Sequence, residues 1–117
     1  LSNQIENEEL IRLSNGSPGL FIHNLKIWSE IPNDLYHRLK ELPREPLGAL
    51  SLARDINDQL SGGQQLWIIN WLQHYIWEHT NRSSAVQDLE KLRLQLMSYV
   101  QPRLAWEVTL LEINLLA

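Results

Sequence analysis

Cysteine is absent from this 117-residue chain. That excludes disulfides and Cys-based zinc sites and points to a reducing, cytoplasmic compartment. Long apolar runs are missing too, none nearing the roughly 18–20 residues that a bilayer span needs, so no membrane partner is expected. The polar, acidic start Leu1-Ser2-Asn3-Gln4-Ile5-Glu6 is not a signal peptide. Basic clusters are lacking as well: ten Lys and Arg stand singly among fourteen Asp and Glu, for a net charge of −4. An independent nucleic-acid footprint would need a basic face to displace counterions from phosphates. Alternating runs of Val, Ile and Thr are absent, which leaves strands without support, and no repeat of fixed period suggests a solenoid. With no methionine at its start and its only Met at position 97, the chain reads as a piece of a longer protein.

What is present is core material and punctuation. Apolar residues make up 44% and include five tryptophans, enough for one domain that buries about two-thirds of its unfolded surface. Pro18, Pro32, Pro46 and Pro102 each precede an apolar-periodic stretch, as a proline does at the first turn of a helix. The spacing predicts helices near 6–13 with Leu10 and Ile11 inward, from Pro18 to about Trp28 with Ser17 as N-cap, and from Asn33 to Leu42 with Leu35, Leu39 and Leu42 on one stripe. A further helix covers Pro46 to Leu60 with Leu50, Ala53 and Ile56 on one face, and the segment 58–63 breaks it. The next, about 64–79, is apolar nearly all round and belongs at the centre of a bundle. Ser84-x-x-Gln87 resembles a capping box for a helix to about Val100, lined by Val86, Leu89, Leu92 and Leu96. A last helix runs from Arg103 to the end. The expected fold is all-α, a single-domain bundle of six or seven helices whose short connections favour antiparallel neighbours.

Catalytic or cofactor chemistry finds no footing. His23, His37, His74 and His79 lack the spacing that puts two metal ligands on one helix face. Asp55 with Asp58, and Glu6 with Glu8 and Glu9, read as solvated or dipole-complementing acids. Ser61-Gly62-Gly63 is a plain loop without the phosphate-cradling pattern. No catalytic residue, metal or cofactor is expected. Trp67 and Trp71, continued by Tyr75 and Trp77, read first as core packing and second as a stacking platform. Trp106 is either core or a subunit contact, tryptophan being enriched at interfaces.

One family fits this map. Glu9-Leu10-Ile11-Arg12-Leu13-Ser14-Asn15-Gly16-Ser17-Pro18-Gly19 resembles the end of the lid domain of bacterial DNA polymerase III delta-prime subunits. The tail from Leu94 to Val108 is similar to the last two helices of their C-terminal domain, and Gln65 to Gln73 sits where they carry an apolar central helix. The resemblance is to cyanobacterial-type members of this clamp-loader AAA+ family and covers nearly the whole chain. It implies a tail of the AAA+ lid over 1–25 and a helical collar over 26–117 that joins subunits into a ring. The implied partners are gamma/tau and delta, with the sliding clamp and primed DNA reached only through the whole complex.

In the ATP-hydrolysing subunits the motif at the helix start reads Gly-Ser-x-Arg, a sensor-2 arginine that reaches the nucleotide. Here Gly16-Ser17-Pro18 leads to Gly19, which offers no guanidinium for a bidentate phosphate contact; Arg12 precedes the motif. The resemblance therefore implies a degenerate sensor-2 motif in a non-hydrolysing subunit, with Arg103 and Trp106 as candidate interface residues. The alternatives are a gamma/tau collar, an ordinary cap at Ser17-Pro18, and an adaptor binding a peptide around Trp67 and Trp71.

Overall fold

In the computed structural model, residues 10, 12–98 and 100–115 are described; they divide at Pro32–Asn33 into two compact units. All the regular structure among them is helical: α1 (Pro18–Glu30), α2 (Asn33–Lys40), α3 (Pro46–Gln59), α4 (Gly62–Thr80), α5 (Ser83–Leu96) and α6 (Pro102–Leu115). The fold is all-α, as the periodicity predicts. The expected inward face of Ile11 and the start of the helix near 6 lie outside the described residues.

The first unit holds α1 and the helical residues just ahead of it, where Leu10 and Leu13 are buried. Proline at the first turn and the Ser17 hydroxyl, which accepts from the Leu20 N–H at 3.3 Å, set the start of α1. The helix buries Trp28 and Asn24 and ends at Ile31.

In the second unit, α2 to α6 form a bundle whose principal contacts run α2–α3–α6–α5–α4 and back to α2. The most extensive pairing, α3 with α6, is also the most distant in sequence. α3 presents Ala49, Leu52, Ala53 and Ile56 inward, the i, i+3, i+4, i+7 stripe of a one-sided helix. α6 answers with Ala105, Trp106, Leu110 and Ile113. The start of α3 lies against the preceding loop so closely that a Cβ on Gly48 would stand 2.8 Å from the Pro43 Cβ. Arg38 of α2 ties to α3 through Asp55 at 2.6 Å, with Ser51 at 3.4 Å. That hydrogen bond from Arg38 and its charge, assisted by Arg54, hold the Asp55 carboxyl below the usual carboxylate range despite partial desolvation.

Four boundaries differ from expectation. Gly62 and Gly63 are not a break but the first turn of α4: the Ser61 hydroxyl accepts from the Gln64 N–H at 3.3 Å, and the Gln64 side chain accepts from the Ser61 N–H at 2.9 Å. This reciprocal cap satisfies two donors and offsets the low helix preference of glycine. The box expected at Ser84 does not form, because α5 already starts at Ser83 without a side-chain cap. Leu42 falls beyond α2, and α5 stops at Leu96.

Candidate interaction surfaces and the turn before α1

The turn at Ser14–Gly19 is built for shape. Asn15 at φ 50° and Gly16 at φ 76° both take the left-handed conformation, which at Gly16 carries no Cβ penalty. The reversal is fixed by Ser14, whose buried hydroxyl donates to the Leu10 carbonyl at 2.6 Å and accepts from the Asn24 amide at 3.0 Å. Ser17 and Pro18 then start α1. Gly19 is different: its φ is ordinary, and a Cβ there would meet only the Ser17 hydroxyl, at 4.0 Å. Nothing in the backbone requires glycine at the position where the resemblance would place arginine.

The structure corrects the reading of Trp106 as a candidate interface residue. Its ring is 0% exposed, sealed inside the second unit. The indole N–H donates to Gln65 Oε1 at 3.0 Å, and the Gln65 amide donates in turn to the Leu60 carbonyl at 3.1 Å. One buried side chain thus links α6, the start of α4 and the end of α3. A glutamine in the first turn of an apolar helix was the available sequence signal for this link, but its partners come from remote segments.

Arg103, the other candidate, lies on the exposed side of α6, 3.6 Å from Glu107. The stretch 94–108 that holds it is rich in exposed apolar side chains. Leu94, Met97, Val100, Leu104 and Val108 are all exposed, and Leu94 and Val108 line one groove between α5 and α6 with Asp88, Lys91, Thr109 and Glu112. Half of the ten large apolar side chains found exposed in the described residues fall in this stretch. Concentration of that kind marks interaction surfaces, whereas scattered exposed leucines do not.

The aromatic run of α4 splits in two. Trp67 and Trp71 are buried, as the core-packing reading expects, which leaves no open ring for the alternative, a peptide groove around them. Trp71 stacks on Tyr75, Tyr75 on His79, and the Lys40 ammonium lies 5.5 Å from the Tyr75 ring. Trp77, expected in the core, is 52% exposed. It lines a groove of about 340 Å³ between α4 and α5 together with Gln73, His74, Val86 and Glu90. Among the described residues, no group of three or more His, Asp or Glu stands close enough to hold a metal ion, and no helix is long and apolar enough to cross a membrane.

The described surface thus carries two grooves with apolar side chains in their walls, one between α4 and α5 and one between α5 and α6. The family described as cyanobacterial DNA polymerase III delta prime, C-terminal domain, matches residues 1–113. No curated protein and no solved structure matches the chain. Because the family match spans nearly the whole sequence, the chain belongs to the cyanobacterial DNA polymerase III delta prime C-terminal domain family.

Proposed function

We propose that this chain is the subunit-joining collar of a clamp-loader delta prime subunit, acting through protein contact and performing no chemistry of its own. The observation that carries the reading is the family match over residues 1–113, which implies clamp-loader involvement. Residues 1–25 are read as the tail of an AAA+ lid and 26–117 as the collar. Gly19 supports a member that does not sense nucleotide: the turn keeps the geometry of a helix start, and the residue after Pro18 has no side chain with which to reach a phosphate.

The outer face of α6, with Arg103, Leu104 and Val108, and the neighbouring Leu94 and Met97 of the α5 end, is the face offered to gamma/tau and delta. A face of a few apolar side chains is small for a free-standing complex. It suffices within a ring, where each added contact becomes intramolecular once the others have formed. The sliding clamp and primed DNA are reached through the assembled complex, in the cytoplasm.

The test is reconstitution with gamma/tau and delta, followed by size-exclusion chromatography at low and moderate salt. Co-elution is expected, and Leu104→Ser should weaken it while leaving the thermal midpoint nearly unchanged. Absence of association at both salt concentrations would sink the reading.

A further inference from the structure

The α4–α5 groove lies apart from the α5–α6 seam and shares none of its lining residues. One wall is Trp77, the exposed member of the five tryptophans, the other four being buried. Opposite it on α5 stand Val86 and Glu90. Glu90 is held in place: its Oε1 accepts from the Gln73 amide at 3.2 Å and lies 3.3 Å from an Arg93 nitrogen. Gln73 is itself fixed, donating to the Val86 carbonyl at 3.2 Å and accepting from Arg93 at 2.5 Å. Both contacts to Glu90 use the same oxygen, so Oε2 has no hydrogen-bond partner among the described residues. The groove therefore combines an open indole face, a fixed carboxylate with one unused acceptor, and an apolar flank at Val86.

Those parts are complementary to a guanidinium. The planar cation stacks on indole, and its parallel N–H groups pair with carboxylate oxygens. Charge favours the same occupant. Arg93 is already engaged by Gln73 and Glu90, and the chain carries net −4. An acidic partner would meet repulsion here, and a purely aliphatic one would bury Glu90 Oε2 without a donor.

We propose that the Trp77 groove is a second docking site, which takes an arginine side chain from a basic segment of a partner protein, the guanidinium lying between the Trp77 ring and Glu90. Trp77 and Arg are the residue types that concentrate binding energy at interfaces, and the volume of about 340 Å³ admits one long side chain with its neighbours. This site does not depend on the ring-assembly reading, and a failure of either leaves the other standing.

The experiment uses the 117-residue chain and two synthetic peptides of repeating Leu-Arg-Ala-Leu, the second carrying citrulline, the neutral isostere, in place of arginine. Acrylamide quenching reports on Trp77, because the other tryptophans are shielded, and the indole N–H resonances are followed in parallel, with Trp77→Phe providing the assignment. The arginine peptide should lower the quenching constant at least twofold and shift the Trp77 resonance. The citrulline peptide should bind at least tenfold more weakly. Trp77→Leu and Glu90→Gln should each weaken the arginine peptide about tenfold, with helical circular dichroism unchanged. Equal binding of the two peptides would reduce the groove to an apolar surface and overturn the proposal. So would binding that survives both substitutions, or the lack of any Trp77 response at millimolar arginine peptide.

Discussion

Replacing Gln65 by leucine removes a buried side chain that ties the end of α3, the start of α4 and α6 together. Two buried groups lose their partners at once, the Trp106 indole N–H and the Leu60 carbonyl. Each orphaned group costs roughly 1–3 kcal/mol. The added apolar side chain returns part of this, since burying a leucine in place of a polar amide gains on the order of 1 kcal/mol. A net loss of about 2–4 kcal/mol is expected, a large share of the 5–15 kcal/mol typical of a domain. Trp106→Phe should cost a comparable amount, through an unpaired Gln65 Oε1 and the space left by the smaller ring. The double variant separates hydrogen bonding from packing. With the Trp106 donor gone, the leucine at 65 strands only the Leu60 carbonyl; the orphaned indole N–H of one variant and the orphaned Gln65 Oε1 of the other both drop out, so the two losses should fall short of additivity by about 2–6 kcal/mol. Urea unfolding followed by far-ultraviolet circular dichroism gives all three values from the midpoint, provided the slope holds constant. A Gln65→Leu loss below about 0.5 kcal/mol, or full additivity, would refute the claim that this amide is sealed in the core and satisfied there.

Other outcomes test the remaining structural arguments. Gly48→Ala should destabilise by roughly 1–3 kcal/mol despite its better helix preference, because the new methyl enters the space of the Pro43 ring; a raised thermal midpoint would contradict this close approach. Gly19→Ala should stabilise by about 0.4–1 kcal/mol, since its backbone is ordinary and its surroundings open, whereas Gly16→Ala should destabilise at φ 76°. Hydrogen exchange of the α1 amides separates the two. Asp55 has a folded-state pKa below its unfolded value near 3.8, so the unfolded chain binds the proton more readily. Its contribution is therefore present above about pH 4 and is lost as pH falls through the lowered value. Asp55→Asn should flatten that part of a stability–pH curve, and an unchanged acid limb would refute the Arg38 pairing.

The sequence revealed most about elements whose signals are local. Proline at the first turn placed the starts of α1, α3 and α6, and the apolar stripe of α3 identified Ala53 and Ile56 as core. Reciprocal capping was harder to see. Two glycines before Gln64 resemble a loop until the Ser61–Gln64 pair is taken as a unit. Tryptophan was the least informative residue: periodicity alone does not distinguish Trp106, fully enclosed, from Trp77, half exposed, because each lies on an apolar-rich helix. What separates them is which neighbour covers each face, and the principal covering pair, α3 with α6, is remote in sequence. The turn at Gly16–Gly19 was legible as a helix start, but that Gly16 has a backbone reason and Gly19 has none required dihedral angles and space.

The pairing of α3 with α6 also has a consequence for the order of synthesis. On a ribosome α3 emerges well before the helix that gives it most of its cover, and the stripe of Ala49, Leu52 and Ile56 lacks its principal partner until Pro102–Leu115 has followed. The loop between them must close before that contact rewards it. Since α6 also carries Leu104 and Val108 on its outer side, a chain cut short within α5 would lack both the lid of its core and these exposed apolar side chains. Cover for α3 and the exposed apolar side of α6 therefore arrive together, with one helix.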